Sequence, residues 1–247
     1  MPDPEGVQLV VDGAQSAGKT NVVEVFSDDR NECVTVPEVA NILIGQGYAP
    51  SSVLEFEKKI FELQPVLEAE KRAESLEKYG RIRLLLDRCA ISAVGWLAGS
   101  RKINPQSLGG YGKSEIREVL RNGLETVRNS CLSGVLQEIT FYPDIIPERW
   151  EKRKRERPHH NTPEEAQALA DYLLTVYRRF TRHGLRLRII KDTSLRVRCE
   201  VAGYLLGMER VYIPEKHRKL DPSVSGERLT DGYLEVPDDI SHLILTP

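Results

Sequence analysis

The chain has no long apolar run. No hydrophobic stretch approaches the roughly 18 residues that cross a bilayer, so no helical membrane span is expected. The opening Met1-Pro2-Asp3-Pro4-Glu5 lacks the basic start and apolar centre of a secretory leader. Cysteine is scarce: Cys33, Cys89, Cys131 and Cys199 lie far apart, with no CxxC pair and no partnered histidines. That pattern argues against a disulfide framework or a zinc site, and for reduced thiols in a cytoplasmic protein. A dominant sign of charge is missing too. Lysine and arginine number 35 against 37 acids, a net charge of −2, so no global field draws the protein to nucleic acid or anionic lipid. There is no internal repeat and no low-complexity tract.

What remains is globular composition, 40% hydrophobic and 29% charged over 247 residues, enough for one substantial core. A single domain over residues 1–247 is therefore expected. Val7 to Asp12 reads as a buried strand ending at Gly13, with a helix from Lys19 to about Phe26. Cys33–Val36 is a second strand stopped by Pro37, and Glu38 to Ile44 is helical. From Ser51 to Lys78 a long charged helix carries Leu54, Ile60, Phe61, Leu67 and Leu76, with Pro65 expected to kink or split it. Arg81–Asp87 is a third strand ending in an acid, and a helix over Ile91–Leu97 precedes a loop from Gly99 to Gly112. A helix over Ser114–Asn129 and a fourth strand over Val135–Phe141 follow. Thr162-Pro163-Glu164-Glu165 is a helix start with its cap, leading an apolar face through Ala166, Leu169, Leu173, Val176, Tyr177 and Phe180. Leu185–Ile190 is a fifth strand and Ser194–Leu206 a final helix. The tail from about residue 213 is expected to hold little regular structure. Strands alternating with helices predict an α/β sandwich: a five-stranded parallel sheet, helices on both faces, and the Asp87 strand beside the Gly13 strand.

Ligands of such sheets bind beyond the carboxyl ends of the strands, where Gly13, Glu38 and Asp87 all fall. There the chain reads Gly13-Ala14-Gln15-Ser16-Ala17-Gly18-Lys19-Thr20, the complete spacing of a phosphate-binding loop. Glycines let the backbone curl around phosphates, amides donate to their oxygens, and Lys19 reaches the β- and γ-phosphates. Thr20 can place its hydroxyl on Mg²⁺, and the helix behind it points its positive end at the anion. A strand before and a helix after make a chance match a poor explanation. The expected ligands are ATP and Mg²⁺.

The loop does not choose among kinase, GTPase, mechanical ATPase and regulator, but other segments carry a resemblance. Asp87-Arg88 with Ser92 looks like the DRxxxS segment of thymidylate-kinase-like enzymes. Pro37-Glu38-Val39-Ala40, the helix Phe61 to Glu68, and Thr162–Ala166 followed by Tyr177 resemble segments of the NadR-type ribosylnicotinamide-kinase-like family (AAA_28-like). The likeness runs from about Val7 to Leu206, although many members carry aspartate where this chain has Ser92. It implies a P-loop NTPase fold with a helical lid, here near residues 144–162, and phosphoryl transfer to a nucleoside or nucleotide. The family also contains nucleotide-binding regulators.

Read physically, Asp87 sits where an acid can hold Mg²⁺ or orient an acceptor hydroxyl; its structural alternative is a helix cap. Arg88 can pair with a transferred or acceptor phosphate, or simply form a salt bridge. Glu38 can accept the acceptor hydroxyl's proton, or only complement a helix dipole. Gln64 and Glu68 share a helix face that suggests an acceptor base. The run Arg149-Trp150-Glu151-Lys152-Arg153-Lys154-Arg155-Glu156-Arg157 places Arg149, Arg153 and Arg157 on one helical face. Arg153 and Arg157 on a closing lid would neutralise the migrating charge; a solvated charged helix or an RNA-binding patch are the competing readings. Neutral overall charge and unclustered aromatics count against nucleic acid. His159-His160, adjacent in a loop with no further ligand nearby, read as surface residues, and Cys89 as a packing residue.

Overall fold

The computed structural model describes residues 6–103, 105–108, 110–131, 136–156, 162–225 and 229–245. Five parallel strands form the main sheet: β1 (Gly6–Gly13), β2 (Val34–Val36), β3 (Ile82–Asp87), β4 (Leu136–Tyr142) and β5 (Arg186–Ile189), in the order β2-β3-β1-β4-β5. β1 and β3 are adjacent as expected, with Val11 in register with Asp87. Leu9, Val10 and Val11 on β1 and Leu84, Leu85 and Leu86 on β3 are all buried. Continuous apolar runs like these suit strands covered on both faces.

Among the described residues, the covering layers come from eight helices interleaved with the strands. α1 (Lys19–Phe26) and α8 (Leu195–Leu205) pack on each other and on β1. α3 (Val53–Tyr79), α4 (Ala90–Ile103), α5 (Lys113–Cys131) and α7 (Pro163–Phe180) pack together as a second layer. α2 (Val39–Gly45) follows β2, and α6 (Pro147–Glu156) lies between β4 and α7. α7 starts with the expected capping box: Thr162 accepts from the Glu165 amide and Glu165 accepts from the Thr162 amide. No helix among the described residues is long and apolar enough to cross a membrane.

Two expectations are corrected. α3 runs through Pro65 as one helix rather than two. Proline removes one backbone donor, but a side-chain bond spans it within the helix and tertiary bonds hold the turns that follow. Gln64 donates to Glu68 at 2.9 Å, Gln8 donates to Glu68 at 3.1 Å, and the Ser75 hydroxyl donates to the Arg81 carbonyl at 2.9 Å. The tail, expected to hold little regular structure, carries a helix and a strand among its described residues. β6 (Arg210–Tyr212) pairs antiparallel with β7 (Tyr233–Glu235) around α9 (Glu215–Leu220). Asn31 pins this ribbon, donating to the Val25 and Tyr212 carbonyls at 2.8 and 3.0 Å and accepting from the Tyr212 amide at 2.6 Å. Val211, Ile213, Val224, Leu234 and Ile240 are buried beneath it. The 181 positions between Asn31 and Tyr212 hide this contact from any local reading.

Candidate functional site

The site is built where β1 ends. Gly13 has φ +135°, and a Cβ there would meet the Tyr142 carbonyl oxygen at 2.0 Å, so β4 leaves room for glycine alone. The Ala14 amide then donates to that same carbonyl at 2.9 Å, turning the chain away from the sheet. Ser16 lies at φ +58° and Gly18 at φ +84° before α1 begins at Lys19. Alternating left- and right-handed residues at a helix start turn successive amides inward, a backbone nest for anions. Lys19 is buried and curls over the loop, donating to the Ala14 and Gly13 carbonyls at 2.7 and 3.3 Å. Burial first, then Arg88, lower its pKa to about 8, against the pull of Asp12, Asp87 and Glu38.

On the β3 side, the Thr20 hydroxyl donates to Asp87 at 3.1 Å. Asp87 is buried and its Oδ1 has no hydrogen-bond partner. Burial, then Glu38, push its pKa up to about 6, while Lys19, Arg88 and the Thr20 hydrogen bond oppose the rise. Arg88 adopts φ +71°, a conformation unusual outside glycine. It turns its guanidinium over the Trp96 ring, 4.9 Å from the centroid, and toward Glu38, with Nε 3.2 Å from Oε1. Its Nε forms no aligned hydrogen bond. Burial works against the charge, but Glu38, Asp12 and Asp87 outweigh it and hold Arg88 above its ordinary pKa. Glu38 precedes α2 and accepts from the Asn41 amide group at 2.9 Å.

The β4–β5 side is different in charge. Arg198, buried on α8, donates from Nε to the Asp192 carbonyl at 2.9 Å and from Nη1 to the Ala17 carbonyl in the loop. Its guanidinium lies 4.1 Å from the Tyr142 ring centroid. From α6, Arg149 reaches the same place: with the Asn21 amide correctly oriented, its two terminal nitrogens donate to Asn21 at 3.2 and 3.1 Å. A Cβ on Gly18 would meet Arg149 at 2.3 Å and Arg198 at 3.0 Å. Among the described residues, neither arginine forms an ion pair with a carboxylate; burial first, then repulsion from Arg149, lowers the pKa of Arg198 against the pull of Tyr142 and Asp192. Two unneutralised cations beside a helix N-terminus make this flank a strong attractor of anions.

An AAA domain family model, AAA_28, matches residues 8–198. The chain belongs to that family. No curated protein matches this AAA domain in sequence. Among solved structures, 81% of the chain aligns with 99% of the deoxyadenosine kinase from M. mycoides with bound dCTP, at a TM-score of 0.51 and 13% identity. The same share aligns with 89% of the thymidylate kinase from Candida albicans, at a TM-score of 0.47 and 12% identity. The fold is that of a P-loop NTPase.

The structure thus brings Lys19, Thr20, Glu38, Asp87 and Arg88 to one edge of this AAA domain. Arg157, His159 and His160 lie outside the described residues, as does the side chain of Arg153. Gln64 and Glu68 are not at the edge. Glu68 is held by Gln8 at 3.1 Å and faces Arg72 at 3.7 Å, in a buried network on the earlier part of β1, which corrects their reading as base-binding residues. Cys89 is buried and burial raises its thiol to about 12, so it stays protonated and packs.

Three residues near the site, Asp12, Glu57 and Arg198, were not singled out from sequence. Asp12 is fully buried at the end of β1; it accepts from the Gly13 amide at 2.7 Å, from Ser92 at 2.6 Å and from the Tyr177 hydroxyl. An acid closing an otherwise apolar strand was the available signal. Glu57 is an acid on the buried stripe of α3, beside Leu54, Ile60 and Phe61. For Arg198 no local signal exists, since only the crossing of α8 over the loop brings it there.

Proposed function

We propose that this AAA domain transfers the γ-phosphoryl group of ATP to a hydroxyl of a small acceptor of the nucleoside or nucleotide class. The observation that carries the reading is the Glu38–Arg88 pair, 3.2 Å apart and set on the same sheet edge as Lys19. A mere nucleotide-holding site has no need of that arrangement. The loop amides, Lys19 and the Arg149–Arg198 flank bind the triphosphate. Glu38 takes the proton of the acceptor hydroxyl as its oxygen bonds to phosphorus and the bond to the ADP oxygen breaks. Arg88 faces the charge developing on the transferred group, and its stacking on Trp96 fixes its direction.

The residues fit a magnesium ion. The Thr20 hydroxyl lies against Asp87, whose Oδ1 is buried without a partner. No cluster of three or more His, Cys, Asp or Glu among the described residues could hold a metal by itself. Two protein ligands supplemented by phosphate oxygens and water are the ordinary arrangement for this ion. Thr20 and Asp87 would hold the ion, which would supply charge neutralisation to the phosphates.

The test is a panel of nucleosides and nucleoside monophosphates incubated with MgATP and followed by ADP release and product mass. A phosphorylated acceptor is expected. ATP hydrolysis that no acceptor stimulates would favour the second reading, a nucleotide-dependent regulator. The observation on that side is the Arg149–Asn21 contact, which ties an outer helix to the start of α1. A partner retained only with nucleotide, together with a measured ATP or GTP preference, would establish it.

A further inference from the structure

Glu57 stands outside the chemistry assigned so far. It belongs to the inward stripe of α3, where Leu54, Ile60, Phe61, Gln64 and Glu68 are also buried. Helical spacing asks for an apolar residue at such a position. Its Oε2 is shut away from solvent with no hydrogen bond, and among the described residues the side chain has neither a hydrogen bond nor an ion pair. Glu68, three turns further along the same stripe, is the internal control. It too is buried, yet it accepts from Gln64 at 2.9 Å and from Gln8 at 3.1 Å, with Arg72 at 3.7 Å. Buried polar groups in native proteins are nearly always satisfied, and Glu57 is one of the exceptions, beside Asp87 Oδ1 and Arg88 Nε at the same edge, that call for a partner. The charged groups that act on Glu57 are Arg88 and Glu38, the pair assigned to the acceptor. Burial outweighs Arg88 and raises its pKa to about 8, so near neutrality the group is chiefly the protonated acid, able both to donate and to accept.

We infer that Glu57 is an acceptor-recognition residue, which hydrogen-bonds the hydroxyl or amino groups of an acceptor that carries no phosphate of its own. The inference rests on the proposed phosphoryl transfer for the placement of the acceptor, and it narrows the acceptor class. The electrostatics of the two flanks support it. On the β4–β5 side, among the described residues, Arg149 and Arg198 form no ion pair with a carboxylate, and only the more distant Asp192 acts on Arg198. On the β2–β3 side Asp12, Glu38 and Asp87 face Lys19 and Arg88 among the described residues, and Arg88 is already engaged by Glu38. A phosphate placed among those acids would meet like charge in a poorly solvated site. A neutral polyhydroxyl compound such as a nucleoside would instead satisfy the orphaned Glu57 oxygen.

The experiment uses the full chain saturated with a non-hydrolysable ATP analogue and magnesium. Titration calorimetry is run with the common ribo- and deoxyribonucleosides and with their 5′-monophosphates. At least one nucleoside is expected to bind, with its monophosphate weaker by about ten-fold or more. Glu57→Leu should weaken that nucleoside by about ten-fold or more, Glu57→Gln by less, and the ATP analogue should bind both variants as it binds the parent. Melting temperatures at or above the parent's show that both variants fold, since neither buries an unpartnered acid. Unchanged nucleoside affinity in Glu57→Leu, a preference for monophosphates, or no nucleoside binding to the parent would each overturn the inference. Product formation with unaffected Glu57 variants removes this inference and leaves the kinase reading. Glu57-dependent binding without transfer from ATP does the reverse.

Discussion

Replacing Asp12 by alanine tests whether the site is held together from beneath. The carboxylate is fully buried and receives the Gly13 amide at 2.7 Å, the Ser92 hydroxyl at 2.6 Å and the Tyr177 hydroxyl, with Arg88 Nε 3.8 Å from Oδ1. Alanine leaves these donors without their acceptor. Ser92 and Tyr177, 3.1 Å apart, can turn to each other, so about two donors stay uncompensated at about 1–3 kcal/mol each. Arg88 keeps Glu38, which limits the cost of uncovering its charge below the about 3–5 kcal/mol typical when one partner of a buried pair is removed. A loss of about 4 kcal/mol is expected, a large part of the about 5–15 kcal/mol that holds a domain folded. Tyr177→Phe removes one donor and leaves the carboxylate two, so it should cost only about 1–2 kcal/mol. Urea unfolding read by far-ultraviolet dichroism and tryptophan fluorescence gives both values, provided the slope against denaturant is unchanged. The double variant should be less damaging than the sum, because the two groups share one hydrogen bond. If Asp12→Ala costs under about 1 kcal/mol, or no more than Tyr177→Phe, Asp12 is not the anchor described.

The other predictions bear on charge. Lys19→Ala removes a cation that meets the phosphates in ground and transition states alike, so ATP affinity and turnover should both fall by about ten-fold or more; unchanged affinity for a fluorescent ATP analogue would contradict this. Arg153→Ala and Arg157→Ala should each lower turnover about ten-fold or more, about 1.4 kcal/mol, with a smaller change in ATP affinity. Full turnover in both with the best acceptor would return the basic run to a solvated helix. Glu57 has a pKa raised from 4.5 to about 8, so between those values the folded protein keeps a proton that the unfolded chain has released. Stability from this group must therefore decline as pH rises from about 4.5 to about 8, by at most several kcal/mol at about 1.4 kcal/mol per unit. Glu57→Gln should flatten that decline in urea unfolding at pH 5, 6, 7 and 8, and parallel curves for parent and variant would sink the assignment.

Much of the architecture was legible because its signals are local. Lys19–Phe26 follows the loop as a helix, Thr162 caps α7, and the apolar runs of β1 and β3 announce buried neighbours, since capping chemistry and hydrophobic period act within a few residues. The meeting of Gly13, Glu38 and Asp87 also followed from the sequence, because parallel strands deliver their carboxyl ends to one edge. By itself, then, the sequence determined the phosphate loop, the sheet and the edge on which the proposed chemistry sits. Tertiary structure alone decided what surrounds that edge. Pro65 did not break α3, because hydrogen bonds across it and in the turns that follow outweigh one missing amide. The tail folded because Asn31 holds β6 from 181 positions away. Arg198 came to the loop only through the crossing of α8, and Glu57 became a buried acid only once α3 was laid over the sheet. Charge in a protein takes its meaning from burial and neighbours, and those belong to the folded chain.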